Sequence, residues 1–219
     1  MDKTLNLTLE SDMLQAIYLN NSEAKRITLD QIAGACSLSL NRVRYLISTR
    51  KLPGDTEKNS VRLIDFLGFL LHNRMSIPER LLPPRTSRIL FLYPAELLHD
   101  SSRATAAAKR LRKNMNRICE AITKSCHLVL ADSVPFGVHA SLTLLNFMPH
   151  IVVLTVLEHP GRQLLATLDR ITSLTTSKTV LLLDQTAIEE VRELPVDLVT
   201  DGRPPFEHLQ KKLAPLLNA

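Results

Sequence analysis

Five short apolar runs in the second half of the chain constrain its fold more than any other feature: RILFLYP, HLVLADS, HIVVLTV, TVLLLD and VDLVTDG. Between them lie RATAAAKRLRKNMNRICEAITKS, VPFGVHASLTLLNFM, GRQLLATLDRITSL and TAIEEVREL, with PPFEHLQKKLAPLL after the last. Runs this short and this apolar suit strands buried from both sides. Their alternation with helical stretches predicts a parallel sheet covered on both faces. Ahead of the first run the pattern is helical with almost no β-rich stretch. The two regimes meet in SIPERLLPPRTSR (76–88), where Pro83 and Pro84 adjoin and proline restricts both itself and its predecessor. The sequence therefore predicts a helical domain over 1–75, an extended linker over 76–87 and an α/β domain over 88–219.

Composition narrows the class. A chain of 219 residues that is 45% hydrophobic is long enough for one large or two small domains and too apolar for wholesale disorder. Runs such as ILFLYPA and IVVLTVL fall far short of the ~20 residues of a membrane helix. The start, MDKTLNLTLESD, lacks a basic-then-apolar secretory pattern. Cys36, Cys119 and Cys126 are odd in number and lack metal-ligand spacing. These features predict a soluble, reduced, cytoplasmic protein with no membrane partner. The net charge of +5 is modest, so any electrostatic footprint has to come from local clustering.

Such clustering is visible in the first domain. TLDQIAGACSL begins with Thr28 as a helix cap and sets Ile32, Ala33 and Cys36 on one face. After a polar break at 37–39, LNRVRYLISTRKL places Leu40, Val43, Leu46 and Ile47 on one face, leaving Asn41, Arg42, Arg44 and Tyr45 on or near the other. PGDTEKNSVRLI reads as a turn with a short β-ribbon, and IDFLGFLLHNRM as a closing helix. Two short helices joined by a tight turn suit a helix-turn-helix, with the basic second helix in the major groove. Arg50 and Lys51 follow that helix, and Lys58, Asn59 and Arg62 would border the phosphate backbone from the ribbon.

SLSLNRVRYLISTRKLPGDTEKNSVRLIDFLGFL resembles the winged helix-turn-helix of excisionase-like and MerR-type DNA-binding domains. Ser39, Val43, Leu46, Ile47, Leu52 and Pro53 match that pattern in register, although the aromatic-rich wing ending of the family is weak here. The resemblance implies double-stranded DNA as partner. For the first 27 residues the sequence suggests an extra helix in SDMLQAIYLNN, with Met13, Ile17 and Leu19 as apolar contacts, or a means of self-association.

In the second domain, five strands over about 130 residues suggest a flavodoxin-like, doubly wound fold, whose ligands bind at the C-terminal strand ends near the switch between strands one and three. The candidates there are Glu96, Asp132, Thr155, Glu158, His159, Asp184 and Asp201. They assemble no recognisable chemistry. Neither a glycine-rich phosphate loop, a nucleophile elbow nor a clustered His/Cys motif follows a strand.

ADSVPFG around Asp132 echoes the phosphoacceptor loop of a response-regulator receiver, but it falls on the second strand, and the other receiver positions read YPAEL, LTVLE and VTDGR. HLVLADSVPFGVHASLTLLNFMPHIVVLTVL and LLLDQTAIEEVRELPVDLVTDGRPPFEHLQKKL resemble the cobalamin-binding domain that MerR-type light-responsive repressors carry. That resemblance implies a ligand pocket at Glu96, His99, Asp132, Thr155 and Asp184. It is degenerate: AELLHDSS offers Glu96 and His99 at altered spacing, Thr155-Val156-Leu157 replaces Ser-x-Leu, and Asp184 and Gln185 replace paired glycines. Side chains at those two positions would crowd a ligand that needs close backbone approach, so the expectation is a domain that keeps no cofactor.

The cluster Arg103, Lys109, Arg110, Arg112, Lys113 and Arg117 is either a solvated helix face or a second phosphate contact. Taken together, the sequence predicts a sequence-specific DNA-binding transcriptional regulator, not an enzyme, that dimerises or senses through its second domain. The alternatives are an interaction or scaffold protein whose first domain binds a protein partner, and a cobalamin- or phosphorylation-responsive sensor; a protein partner of the second domain is a further expectation.

Overall fold

The computed structural model describes residues 16–19, 25–54, 57–95, 102–123, 126–156, 162–183, 191, 194–201, 211–213 and 215–216. In chain order the elements are β1 (Ala16–Leu19), β2 (Arg26–Thr28), α1 (Leu29–Cys36), α2 (Leu40–Ser48), β3 (Ser60–Arg62) and α3 (Leu63–His72). A 3₁₀ turn at Glu79–Leu81 precedes β4 (Thr86–Tyr93), α4 (Ser102–Thr123), β5 (Leu128–Pro135), α5 (Val138–Phe147), β6 (Ile151–Val156), α6 (Arg162–Leu174), β7 (Lys178–Leu183) and β8 (Leu198–Asp201). The chain divides into two compact units, Asn21–Pro84 and a larger one combining Met1–Asn20 with Arg85–Ala219.

The larger unit carries the sheet that the five apolar runs predict. Strands β5, β4, β6, β7 and β8 lie side by side and parallel. In order of appearance that is second, first, third, fourth, fifth, the flavodoxin-like arrangement, with its switch point between β4 and β6. Every residue of β6 is buried, as the absence of a polar alternation predicted. Alternate residues divide the sheet between two layers. One face brings Ile89, Phe91, Ala131, Val153 and Leu182 together with Met115, Ile118 and Ile122 of α4 and with Leu213. On the other, α5 packs against β4 and β5, and α6 lies beside α5. Full burial of each such aliphatic side chain contributes about 1.5–3 kcal/mol.

The N-terminal segment departs from its expected helix. Ala16–Leu19 is a sixth strand, antiparallel to β5 with Ala16 opposite Ala131 and Leu19 opposite Leu128. AIYL is too short for an independent helix, whereas the edge of β5 offers a row of open backbone hydrogen-bonding groups. Ile17 is buried there, and Met13 lies outside the described residues. The strand Ala16–Leu19 thus belongs to the larger unit rather than the smaller.

The segment expected to be a linker is also structured. Ile77 and Leu81 are buried around the 3₁₀ turn, and Ser87 and Arg88 are already inside β4. The prolines shape the turn, but the apolar side chains between them anchor it.

In the smaller unit, α1, α2 and α3 surround Ile32, Val43, Leu46, Phe66, Leu67 and Leu70, all buried. β2 and β3 form a two-stranded antiparallel ribbon, with Arg26 opposite Arg62 and Thr28 opposite Ser60. The ribbon therefore pairs across the length of α1 and α2, and is not the local hairpin that PGDTEKNSVRLI suggested. α3 follows directly and ends at Asn73, whose Nδ2 donates to the Phe69 carbonyl over 2.7 Å. Among the described residues no helix is long and apolar enough to cross a membrane.

Candidate nucleic-acid interface

The smaller unit holds most of the molecule's charge excess. Residues 21–84 contain ten Lys and Arg against six Asp and Glu, and from residue 31 to 54 there is no acid at all. α1 and α2, with the residues just after them, account for that acid-free stretch.

Local chemistry fixes both helices. Thr28 begins α1 with a capping box: its Oγ1 accepts from the Gln31 N–H at 3.2 Å, while its own N–H donates to Gln31 Oε1 at 2.9 Å. α1 stops at Ser37, which takes the left-handed conformation (φ 53°), and the Leu38 N–H donates to the Ala33 carbonyl at 2.9 Å. Two residues later Ser39 caps α2, its Oγ accepting from the Arg42 N–H at 3.2 Å. A three-residue turn with one left-handed position thus separates two short helices. The Arg80 guanidinium also donates to the Gly34 carbonyl, tying the 3₁₀ turn to α1.

Val43, Leu46 and Ile47 form the buried side of α2. At 100° per residue, Asn41, Tyr45 and Ser48 lie opposite them, and Arg42 and Arg44 fall on opposite flanks. Asn41, Arg42, Arg44, Tyr45, Arg50 and Lys51 are all exposed. Tyr45 is 48% exposed, and the Arg42 guanidinium stands 5.1 Å from its ring centroid, a cation–π distance that orders both side chains. Arg42 also lines an open groove of about 510 Å³ between α2 and α3, with Leu38, Leu46, Lys51, Phe69, His72, Asn73 and Met75.

The C-terminal end of α2 is held by a tight turn. Arg50 is left-handed (φ 56°), and the Lys51 and Leu52 N–H groups both donate to the Leu46 carbonyl, at 2.9 and 3.0 Å. Leu52 is fully buried. Gly54 follows Pro53, in a position where a Cβ would lie 2.9 Å from Val61 Cγ2 and 3.2 Å from Ile47 Cδ1.

The ribbon residues behave differently from one another. Lys58 and Asn59 are exposed in the turn before β3, with Asn59 left-handed at φ 48°. Arg62 makes a bidentate pair with Asp65, 2.7 Å on each arm, which pushes its pKa upward. Much of its charge is therefore neutralised. Arg26, which the sequence reading did not single out, faces Arg62 across the ribbon and donates to the side chain and carbonyl of Ser60, both at 2.9 Å. Nothing local announces this neighbour, since the two arginines are 36 positions apart. Ser48 was missed for a simpler reason: a hydroxyl at the centre of a helix face carries no sequence signal, and its Oγ here donates to the Tyr45 carbonyl.

The ligand pocket expected in the larger unit does not assemble among the described residues. Asp132 and Thr155 are each 2% exposed, but they belong to opposite faces of the sheet. Asp132 is in register with Leu90 in mid-strand, while Thr155 is in register with Leu182 on the α4 side. The Asp132 carboxylate accepts from the neighbouring Ser133 N–H at 2.8 Å, and Thr155 Oγ1 has no hydrogen-bond partner. Glu96, His99, Glu158, His159 and Asp184 lie outside the described residues, as does Gln185. So the described part of the fold neither supplies nor tests the cofactor contacts that the cobalamin-domain resemblance implies. Asp201 closes β8. Among the described residues no three His, Cys, Asp or Glu side chains gather as a metal site.

Along α4, Lys109, Arg110, Arg112 and Lys113 are exposed and Arg117 is half-buried, with Leu111, Met115 and Ile118 turned to the sheet. Burial pushes the thiols of Cys36, Cys119 and Cys126 above the usual cysteine range.

The class that this topology defines is a flavodoxin-like α/β unit accompanied by a small, basic, helical unit. No protein-family model matches the chain, and no curated protein matches it. Among solved structures it is similar to the rubredoxin oxygen:oxidoreductase of the anaerobe Desulfovibrio gigas, at 9% identity and a TM-score of 0.36 over 71% of this chain. The match spans 39% of that enzyme's length. It is also similar to a CheY-like response regulator protein from Mesorhizobium loti, at 16% identity and a TM-score of 0.33, over 59% of this chain and 98% of the other.

Proposed function

We propose that the protein is a sequence-specific DNA-binding regulator of transcription, acting in the cytoplasm, with residues 21–84 as a winged helix-turn-helix. The observation that carries this reading is the acid-free stretch from 31 to 54, folded so that α2 presents Asn41, Arg42, Arg44 and Tyr45 on its outer side. In this reading α2 enters the major groove. Arg and Asn side chains match the paired acceptor and donor edges of guanine and adenine there. Arg50 and Lys51 beyond its end, with Lys58 and Asn59 in the ribbon turn, meet phosphates and set the register.

No catalytic step is asked of the protein. The larger unit makes a homodimer, so that two small reading modules engage two half-sites. Its basic α4 helix adds a further phosphate contact. The reading is tested by selecting a preferred duplex from a random library and titrating the full chain with it, and with a duplex of shuffled sequence, over a salt series. Binding that weakens steeply with salt on both duplexes, and that favours the selected one, supports it.

A second reading draws on the groove between α2 and α3. Its floor of Leu38, Leu46, Phe69 and Met75, rimmed by Arg42, Lys51 and His72, suits an apolar segment of an acidic protein partner. Salt-insensitive duplex binding, or none, favours that alternative.

A further inference from the structure

Duplex binding does not account for the groove between α2 and α3. Its floor is apolar: Leu38, Phe69 and Met75 are half-buried there beside the buried Leu46. A DNA backbone is polar throughout and does not desolvate a concave apolar floor. Phosphate contacts therefore use the rim and leave the floor in water. At about 510 Å³ the groove falls within the ~300–1,000 Å³ of small-molecule sites.

The polar groups around that floor suit an anion. Arg42, Lys51 and His72 reach it, and among the described residues no Asp or Glu does. Both walls come from acid-free sequence, residues 31–54 and 66–78. Arg42 stands in the first turn of α2, where the helix dipole favours negative charge. The opposing dipole at the end of α3 is blunted. There the Phe69, Leu70 and Leu71 carbonyls accept from Asn73 Nδ2, the Met75 N–H and the Arg74 N–H at 2.7, 2.9 and 3.0 Å.

We infer that the groove is an effector site for a small amphipathic acid, with its carboxylate on Arg42 and Lys51 and its acyl or aromatic body on the floor. The planar fork of an arginine matches a carboxylate, and the Arg42 guanidinium is already held 5.1 Å from the Tyr45 ring centroid. Size selects a free acid over a protein segment: eight residues line the groove, against ~20–30 a side in a standard protein interface. Binding of the acid needs no DNA. Its consequence rests on the duplex-binding reading: Arg42 and Lys51 cannot hold the acid and the duplex at once, so the acid releases the DNA.

The test uses the full chain with isotope-labelled methionine methyls, titrated with sodium decanoate. Met75 lines the groove, while Met115, buried on α4, and Met148, exposed on α5, report from the larger unit. The Met75 methyl should shift saturably in the submillimolar range while the other two stay still. Acetate, which lacks the tail, and decyltrimethylammonium, which reverses the head charge, should have no effect. His72→Glu sets a carboxylate at the rim, and Lys51→Met removes a cation but keeps an apolar stem. Both positions are exposed, so far-UV melting certifies folding, and each variant should weaken decanoate by at least about 10-fold. A silent Met75, an equal response to decyltrimethylammonium, or a Met148 that moves with Met75 overturns the inference. So does a Glu/Leu-rich helical peptide that shifts Met75 where decanoate does not, which would return the groove to a protein partner.

Anisotropy titration on the selected duplex separates the two readings. Saturating decanoate should weaken native binding about 10-fold and leave that of His72→Glu unchanged. Undiminished duplex binding with Met75 saturated overturns the regulatory step. A native protein that binds decanoate but no duplex refutes the DNA reading alone. One that binds the duplex with Met75 silent refutes the effector site alone.

Discussion

Gly54→Ala perturbs the junction that holds the end of α2 in place. The added methyl would sit 2.9 Å from Val61 Cγ2 and 3.2–3.3 Å from two carbons of Ile47. Neither neighbour yields easily: Val61 is fully buried and stiff at χ1, and Ile47 is buried on α2. Overpacking of this kind costs about 1–3 kcal/mol. Removing a glycine from the unfolded chain returns about 0.4–1 kcal/mol. The net expectation is a loss of about 1–2 kcal/mol, or roughly 4–16 °C in the melting midpoint of a unit this small.

Val61→Ala opens the space that the new methyl needs. The pair should therefore be non-additive, with a coupling of at least about 0.5 kcal/mol in favour of the double variant. Hydrogen exchange read on peptides from residues 25–72 isolates the smaller unit from the larger. A neutral Gly54→Ala, or strict additivity with Val61→Ala, refutes the close approach as drawn.

Other predictions follow from the same geometry. Ser39→Ala removes the α2 cap and should destabilise the smaller unit by about 1 kcal/mol in the same exchange assay. Asp65→Asn frees the Arg62 guanidinium from its ion pair, so the slope of log affinity against log salt for random duplex should steepen by about one phosphate contact. Native protein titrated with a maleimide should modify Cys36, which is half-buried, well before Cys119, which is fully buried with a raised pKa. Purified protein should be colourless, and added methylcobalamin should leave its melting midpoint unchanged, because the sequence has Asp184 and Gln185 where the cobalamin-binding domains it resembles carry paired glycines.

Much of the architecture was legible because its signals are local. Five apolar runs became five parallel strands, and Thr28 and Ser39 cap the helices that the periodicity of Ile32, Val43 and Leu46 marked out. What escaped was decided by distant partners. AIYL gives no sign that it will pair with residues 128–131, and Ser60–Arg62 gives none that its partner is Arg26–Thr28. Of the expected ligand pocket only Asp132 and Thr155 lie among the described residues, and these two do not meet. Asp132 and Thr155 were grouped as residues near strand ends, but the two-residue side-chain period sends them to opposite faces of the sheet. On α2, the sequence separated inside from outside correctly, yet Arg42 and Arg44 were treated as equivalent although they flank the outer face on opposite sides.

The central claim, that α2 reads base edges, is tested most directly by anisotropy titration of native protein and Arg44→Ala on the selected duplex and on a shuffled one at fixed salt. Native protein should bind the selected duplex at least about 10³-fold more tightly than the shuffled one. Arg44→Ala should lose about 1–3 kcal/mol on the selected duplex and much less on the shuffled one, as removal of a base contact requires. Equal losses on both duplexes would make Arg44 a phosphate contact, and equal native affinity for the two would contradict sequence-specific recognition altogether.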